Sequence, residues 1–115
     1  MRIVEFILRK KATNPVILEI KNISHLCDYF VICSGVSGRQ VRAIYEEAIK
    51  LSKVNKINMH HTEDDELSKW LLIDYFDVIL HIFYDEAREF YGIERIWREA
   101  KKIKLPKKLI GQLKD

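Results

Sequence analysis

Two blocks of this sequence, at residues 28–44 and 70–97, constrain the fold most strongly. Each block begins with an apolar run of strand length and continues into a segment with the start signals of a helix. In the first block the apolar run 29–33 is continuous, which is typical of a strand buried on both faces. Ser37 and Gln40 then match a capping box, and apolar residues repeat on one face of the helix that follows.

The second block predicts a β-hairpin. The apolar runs 70–73 and 78–83 have strand length, and they flank Asp74 to Asp77, which has the composition of a tight turn. The other elements predicted from periodicity and stop signals are a helix at 2–11, strands at 16–20 and 56–61, a helix at 85–91 with Asp85 as its cap and Gly92 as its end, and a helix at 93–100. A short strand is the alternative for 2–11, because this segment is rich in β-branched residues.

The order of these elements predicts a single small domain of the α/β (α+β) class, with a mixed five-stranded sheet flanked by helices. A chain of 115 residues has no room for a second core. We assign residues 1–100 to this domain and residues 101–115 to a C-terminal extension.

The C-terminal extension holds the basic excess of the chain. The net charge is +3, and residues 101–115 contain six lysines and one aspartate, so the rest of the chain is slightly acidic. Such a segment can approach the phosphate backbone of a nucleic acid through unspecific attraction, although a solvated helical extension is an equal alternative. The lysines concerned are Lys101, Lys102, Lys104, Lys107 and Lys108.

Composition excludes several classes of protein. No apolar run approaches the roughly 18–20 residues of a membrane span, and the N-terminus lacks the pattern of a signal peptide. We therefore expect a cytoplasmic protein with no membrane partner. In that compartment Cys27 and Cys33 are expected to be free thiols.

The residues of the loop Ser34 to Gly38 suggest an enzyme as one alternative. The loop presents backbone amides before a helix, which could bind the phosphates of a nucleotide. Metal-binding carboxylates on a strand need a spacing of two to share one face, whereas Asp74 and Asp77 are three apart across a turn. We therefore predict no catalytic residue and keep a nucleotidyltransferase-like enzyme as the alternative.

Histidines offer a second alternative, a metal site. His60 and His61 are adjacent on an extended segment, so only one of them could face a given site. No cysteine–histidine spacing matches a zinc module. His81 lies inside an apolar strand, where a hydrogen-bonded core histidine is the simpler interpretation. We predict no metal and no cofactor.

The strand that begins at Trp70 predicts an interaction surface. Strand alternation puts Trp70, Leu72 and Asp74 on one side and Leu71 and Ile73 on the other, and only one side needs to pack on helices. An aromatic anchor beside a charge is typical of binding hot spots. The alternative is that Trp70 belongs to the core and the carboxylates only bind turn amides.

Together the two blocks resemble the ribosomal silencing factor family, also called the Iojap family, over roughly residues 1–99. In the first block the resemblance rests on Asp28, Ser34, Gly35, Ser37, Arg39 and Gln40. In the second block it rests on Trp70, Asp74, Asp77, His81, Arg88, Tyr91, Glu94 and Trp97. This chain departs from the family at Phe76, where the family usually has glycine. Because phenylalanine does not readily take a positive φ, we expect a different turn type.

The resemblance implies a nucleotidyltransferase-like architecture without enzymatic function. It implies binding to the large ribosomal subunit through its protein fourteen, obstruction of small-subunit joining and lower translation when nutrients are short. It also implies a role in large-subunit maturation for organellar relatives. A homodimer of the free protein through the same surface is a further expectation. The contact residues would be Trp70, Leu72, Asp74, Tyr75, Phe76 and Asp77.

Overall fold

A six-stranded mixed sheet with helices on both faces forms the fold in the computed structural model, which describes residues 2–105. In chain order the elements are α1 (Arg2–Leu8), β1 (Thr13–Glu19), β2 (Tyr29–Gly35), α2 (Gly38–Val54), β3 (His61–Glu63), β4 (Trp70–Asp74), β5 (Val78–Tyr84), α3 (Asp85–Tyr91), α4 (Ile93–Ile96) and β6 (Lys101–Ile103). The predicted α/β domain with a mixed sheet is confirmed, and α1 is a helix rather than a strand.

The strands lie in the order β3-β4-β5-β2-β1-β6. The central strands β2 and β5 run parallel, and every other described pair is antiparallel. β2 is buried on both faces, as its continuous apolar run predicted, and β5 is buried on both faces although it contains His81. The short edge strands β3 and β6 are largely exposed.

The sixth strand corrects the predicted count of five. Lys101–Ile103, which we had assigned to the extension, pairs with β1 in the register Ile17 to Ile103. Ile103 and Leu105 also pack against the main core. The segment contains one apolar residue between lysines, so its sequence carried no strand signal. Lys107 and Lys108 lie outside the described residues.

The sheet divides the core into two layers, each covered by helices. α1 and α2 pack on one face of the sheet, around residues such as Ile7, Val31 and Ile44. On the other face Ala87 of α3 and Ile93 of α4 pack with Phe83 and other sheet residues. This second face carries the candidate functional site.

The N-terminus of α2 has the predicted cap with one difference. The Ser37 hydroxyl accepts a hydrogen bond from the Gln40 amide at 3.1 Å, as a cap requires. The Gln40 side chain does not complete a capping box, because its Oε1 accepts from the Val36 amide at 2.8 Å. Its Nε2 donates to the carbonyls of Lys10 and Lys11, so this glutamine ties the end of α1 to the start of α2.

Several predicted boundaries were wrong. The third strand lies at His61–Glu63 rather than at 56–61, and the last helix ends at Ile96 rather than at Ala100. Asp85 is the first residue of α3 and not its cap, because Tyr84 holds the cap position without a side-chain hydrogen bond. Gly92 ends α3 in the left-handed conformation, as predicted.

The two cysteines are free thiols, as predicted, and both of them are buried. Burial raises the pKa of the Cys27 thiol to about 11 and that of the Cys33 thiol to about 12. Among residues 2–105 no helix is long and apolar enough to cross a bilayer.

Candidate functional site

One face of β4 forms a strip that is open to solvent. Trp70, Leu72 and Asp74 are half-buried on this face, whereas Leu71 and Ile73 are fully buried on the other. The predicted alternation is therefore confirmed. α2 packs near β4 on the buried side, while α3 lies over β5 and β2. We call the three open residues the β4 strip.

An aromatic cluster packs against Trp70 of the β4 strip. The Trp70 ring stacks on Phe83 with a centroid distance of 4.9 Å, and Tyr91 of α3 lies 4.9 Å from the same indole. His81 lies edge-on to Phe30, with ring centroids 4.6 Å apart. Trp70 is therefore partly a core residue, as one of the two interpretations predicted, and its remaining surface is exposed.

His81 is the buried polar centre of this cluster, as its position in an apolar strand predicted. Its Nδ1 accepts a hydrogen bond from Trp70 Nε1 at 3.2 Å, so the ring proton belongs on Nε2. Nε2 is buried and has no hydrogen-bond partner among the described residues. Burial lowers the pKa of His81 to about 4, and the imidazole is neutral at pH 7. Within residues 2–105 no three metal-ligating side chains come together.

The hairpin between β4 and β5 adopts the turn that a glycine would favour. The Asp74 carboxylate accepts a hydrogen bond from the Phe76 amide at 2.8 Å, and the Tyr75 amide donates to the Val78 carbonyl at 2.8 Å. Phe76 has a φ of 76°, so the expectation that a phenylalanine would avoid positive φ was wrong. Its side chain is 59% exposed and lies 4.1 Å from the His60 ring, between ring centroids. Asp77 is also exposed.

Tyr75 was wrongly included among the exposed contact residues. Its side chain is only 8% exposed, and its hydroxyl lies 2.8 Å from Ser52 Oγ on α2. Strand alternation explains this position, because Tyr75 continues the buried series of Leu71 and Ile73. Burial also raises the pKa of the Tyr75 phenol.

The loop Ser34 to Gly38 lies far from the hairpin carboxylates. Tyr29 at the start of β2 is opposite Val78, and the Asp28 amide donates to the Asp77 carbonyl at 2.8 Å. The hairpin is thus beside the start of β2, whereas the loop follows its end, roughly 20 Å away at ~3.3 Å per residue. The described residues therefore do not bring this loop and these carboxylates into one site.

The Ser34 hydroxyl is also occupied. It accepts a hydrogen bond from Arg88 Nη1 at 2.8 Å, and Arg88 Nε donates to Glu94 Oε1 at 2.7 Å. Ser34 and Arg88 are largely buried, so this network joins the end of β2 to α3 and α4. The three residues line part of a cavity of about 500 Å³, which mixes acidic and basic side chains.

Known proteins resemble this chain in sequence and in fold. The family model described as "Ribosomal silencing factor during starvation" matches residues 1–114. The chain belongs to the ribosomal silencing factor family. A member from Halalkalibacterium halodurans, named ribosomal silencing factor RsfS, is 38% identical over 96 residues, which are 84% of this chain and 82% of that protein.

Two further relatives extend the comparison. A crystal structure of a Bacillus halodurans protein superposes with a TM-score of 0.78 at 34% identity, covering 90% of this chain and 95% of the other. A mouse protein named mitochondrial assembly of ribosomal large subunit protein 1 is 26% identical over 98 residues, which are 83% of this chain and 43% of the mouse protein.

The residues that resemble the ribosomal silencing factor family fall into two groups in the structure. Most of them build the fold: Ser34, Gly35, Ser37, Gln40, His81, Arg88, Glu94 and Trp97. Val41 crowds the position of a side chain at Gly35, since an added Cβ would lie 3.0 Å from Val41 Cγ2. The second group is exposed or half-exposed and consists of Asp28, Arg39, Trp70, Asp74, Asp77 and Tyr91.

One polar arrangement beside the β4 strip had no signal in the sequence. Arg42 on α2 binds Asp64 with two parallel hydrogen bonds of 2.7 and 2.8 Å, and its Nη2 also donates to the Asp65 carbonyl. This arginine holds the pKa of Asp64 below its usual value through the hydrogen bond. The two residues are 22 positions apart, and nothing in the local pattern pairs them.

Proposed function

We propose that this ribosomal silencing factor binds the large ribosomal subunit through its protein fourteen and sterically blocks joining of the small subunit, which lowers translation. The observation that carries the proposal is the β4 strip, an open apolar and acidic surface on a rigid aromatic support. The name of the mouse relative, an assembly factor of the large subunit, favours that subunit as the partner. A role in large-subunit biogenesis is part of the same proposal.

The β4 strip has the physical properties of a binding hot spot. Trp70 is fixed by the hydrogen bond to His81 and by stacking on Phe83, so binding costs little further side-chain entropy. Leu72 adds apolar surface next to it. Phe76 and Asp77 are exposed at one end of the strip and would form its rim. Tyr75 is not included, because it is buried.

Steric exclusion requires affinity and bulk rather than chemistry. A bound factor prevents subunit joining when its affinity competes with the affinity between the subunits. We therefore propose that the protein acts without a catalytic residue and without a cofactor. The occupied Ser34 hydroxyl and the distance between the loop and the hairpin carboxylates support this view.

Co-sedimentation with isolated subunits, followed by a subunit-joining assay, tests the proposal. We expect binding to large subunits only and fewer joined ribosomes as the factor is added. Leu72→Glu should weaken binding at least about tenfold, because it puts a charge into the interface centre. Val54→Glu is the matched control, since Val54 is 68% exposed at the end of α2 on the opposite face of the sheet.

Two outcomes would contradict the proposal. If the wild-type protein does not bind large subunits, the proposed function is wrong. If folded Leu72→Glu and Val54→Glu bind equally well, the proposed binding surface is wrong. Trp70→Ala is a poor test, because it also removes a core contact and leaves His81 Nδ1 unpartnered.

The exposed lysines of β6 and its neighbourhood suggest an additional contact. We propose that Lys101, Lys102 and Lys104 approach ribosomal RNA phosphates in the complex, together with Lys107 and Lys108. Affinity should then fall steeply with added salt, and replacing Lys101, Lys102 and Lys104 with glutamine should reduce that slope. An unchanged slope would exclude a role for these three lysines.

Self-association of the free protein through the β4 strip is compatible with this function. We propose that dimer formation and ribosome binding would compete. Sedimentation equilibrium of the free protein and of Leu72→Glu measures this directly, and a wild-type monomer at high concentration would exclude it.

A further inference from the structure

A groove lies beside the β4 strip, between β3, the connector to β4 and the end of α3. Its volume is about 340 Å³, and its lining residues are Glu63, Asp64, Asp65, Trp70, Leu72 and Tyr91. A water molecule occupies about 30 Å³ in the liquid, so the groove has room for a long side chain. Half of the lining residues are acidic, and two of the others are aromatic.

The aromatic part of the groove offers ring surfaces rather than hydrogen-bond donors. The Trp70 indole N–H is already donated to His81, so this residue presents only its ring to a ligand. Tyr91 is 44% exposed and lies 4.9 Å from the indole, between ring centroids. The faces of tryptophan and tyrosine rings attract cations, and they accept the flat guanidinium group of arginine especially well.

The acidic part of the groove keeps an excess of negative charge. Asp64 is paired with Arg42 and contributes little. Asp65 accepts hydrogen bonds from the amides of Leu67 and Lys69, which orient its carboxylate without neutralising it. Glu63 is exposed, and its nearest described basic group is the exposed His61 imidazole at 3.7 Å.

We propose that this groove binds an arginine side chain of the partner protein that covers the β4 strip. The inference rests on the proposed function and names the chemistry of the partner at one subsite. The guanidinium group stacks on the ring of Trp70 or Tyr91, and its N–H groups donate to the carboxylate of Glu63. Charge complementarity selects this occupant over an apolar side chain, because an apolar group would cover the Glu63 carboxylate without supplying a charge to pair with it.

Binding of large subunits by paired variants provides the first test. Glu63→Gln should weaken binding up to about fivefold, as expected for an exposed charge pair, while Glu66→Gln removes an exposed carboxylate outside the groove and should change nothing. Tyr91→Leu should weaken binding by a similar factor, and its matched control is Tyr91→Phe, which keeps the ring face and removes only the hydroxyl. Equal affinity within either pair of folded variants contradicts the inference.

Titration of the free protein provides a second test that does not depend on the ribosome. The probe is N-acetyl-arginine amide, and its neutral analogue N-acetyl-citrulline amide has nearly the same shape. The indole N–H signal of Trp70 in an ¹⁵N-correlated NMR spectrum should shift with the arginine compound, and less in Glu63→Gln. The Trp97 indole is an internal reference, because it packs against Phe30 outside the groove.

The outcomes separate this inference from the proposed function. Shifts of equal size with both compounds would indicate an apolar or unspecific occupant, and absence of a shift at high concentration would overturn the inference directly. If the wild type binds large subunits but the paired variants do not differ, the function stands and the groove chemistry is wrong. If the wild type binds no subunit, the function fails, while the titration still decides whether the groove takes arginine.

Discussion

Acid should destabilise this protein through His81. His81 is 5% exposed, and its Nδ1 must remain unprotonated to accept the hydrogen bond of Trp70. Burial lowers its pKa from 6.5 to about 4 in the folded protein, whereas an unfolded chain keeps the ordinary value. The unfolded state therefore binds a proton at a pH where the folded state does not.

The sign and the size of the effect follow from proton linkage. Below pH 6.5 the unfolded chain binds a proton at His81, and this proton must be released when the chain folds. The free energy of unfolding therefore begins to fall as the pH drops below 6.5. Between pH 6.5 and about 4 the free energy of unfolding should fall by about 1.4 kcal/mol per pH unit. The total loss is about 3 kcal/mol, which is a large part of the roughly 5–15 kcal/mol by which domains are stable.

Urea unfolding at a series of pH values measures this slope. In His81→Gln the slope between pH 6.5 and 4 should largely disappear, even though the variant is less stable at pH 7. His25→Gln is the matched control, because His25 is exposed and its replacement should leave the slope intact. A slope that persists in His81→Gln would refute the reasoning, as would an NMR titration in which the His81 ring protonates near pH 6.5 in the folded protein.

Two other predictions concern strain and thiol reactivity. Phe76→Gly should be more stable than Phe76→Ala by about 0.5–1 kcal/mol. Both variants lose the ring contact with His60, but only the alanine variant keeps a strained positive φ. Equal urea midpoints of the two variants would contradict this. In the variant Cys27→Ser, Cys33 is the remaining thiol, and burial raises its pKa from 9.0 to about 12. This thiol should therefore react with a disulfide reagent roughly a thousandfold more slowly in the native than in the unfolded protein. A fast reaction of the native protein would contradict the burial of Cys33.

The sequence predicted those features that depend on local periodicity. The alternation from Trp70 to Asp74 fixed which residues of β4 are buried, since a strand with one covered face must keep that register. Asp74 and Asp77, which bound a short segment between two apolar runs, identified the hairpin. The continuous apolar run of β2 identified a central strand, because such a run is stable only when both faces are covered.

Features that depend on distant residues could not be predicted. β6 pairs with β1, from which it is far removed in sequence, and its own residues have no strand pattern. The burial of Tyr75 follows from local alternation, which continues past the end of β4, but its contact with Ser52 depends on where α2 packs. The pairing of Arg42 with Asp64 needs the folded sheet to bring α2 and the connector together.

The Trp70 ring belongs both to the core and to the proposed interface. A surface tryptophan that was free to rotate would lose entropy on binding, whereas His81 and Phe83 hold this ring in one orientation before a partner arrives. The hydrogen bond to His81 also uses the indole donor, so only the ring surface of Trp70 is left for the proposed partner. Substitutions beneath the ring, such as those of His81, should therefore alter binding and stability together, while Leu72 and Glu63 allow the two to be separated.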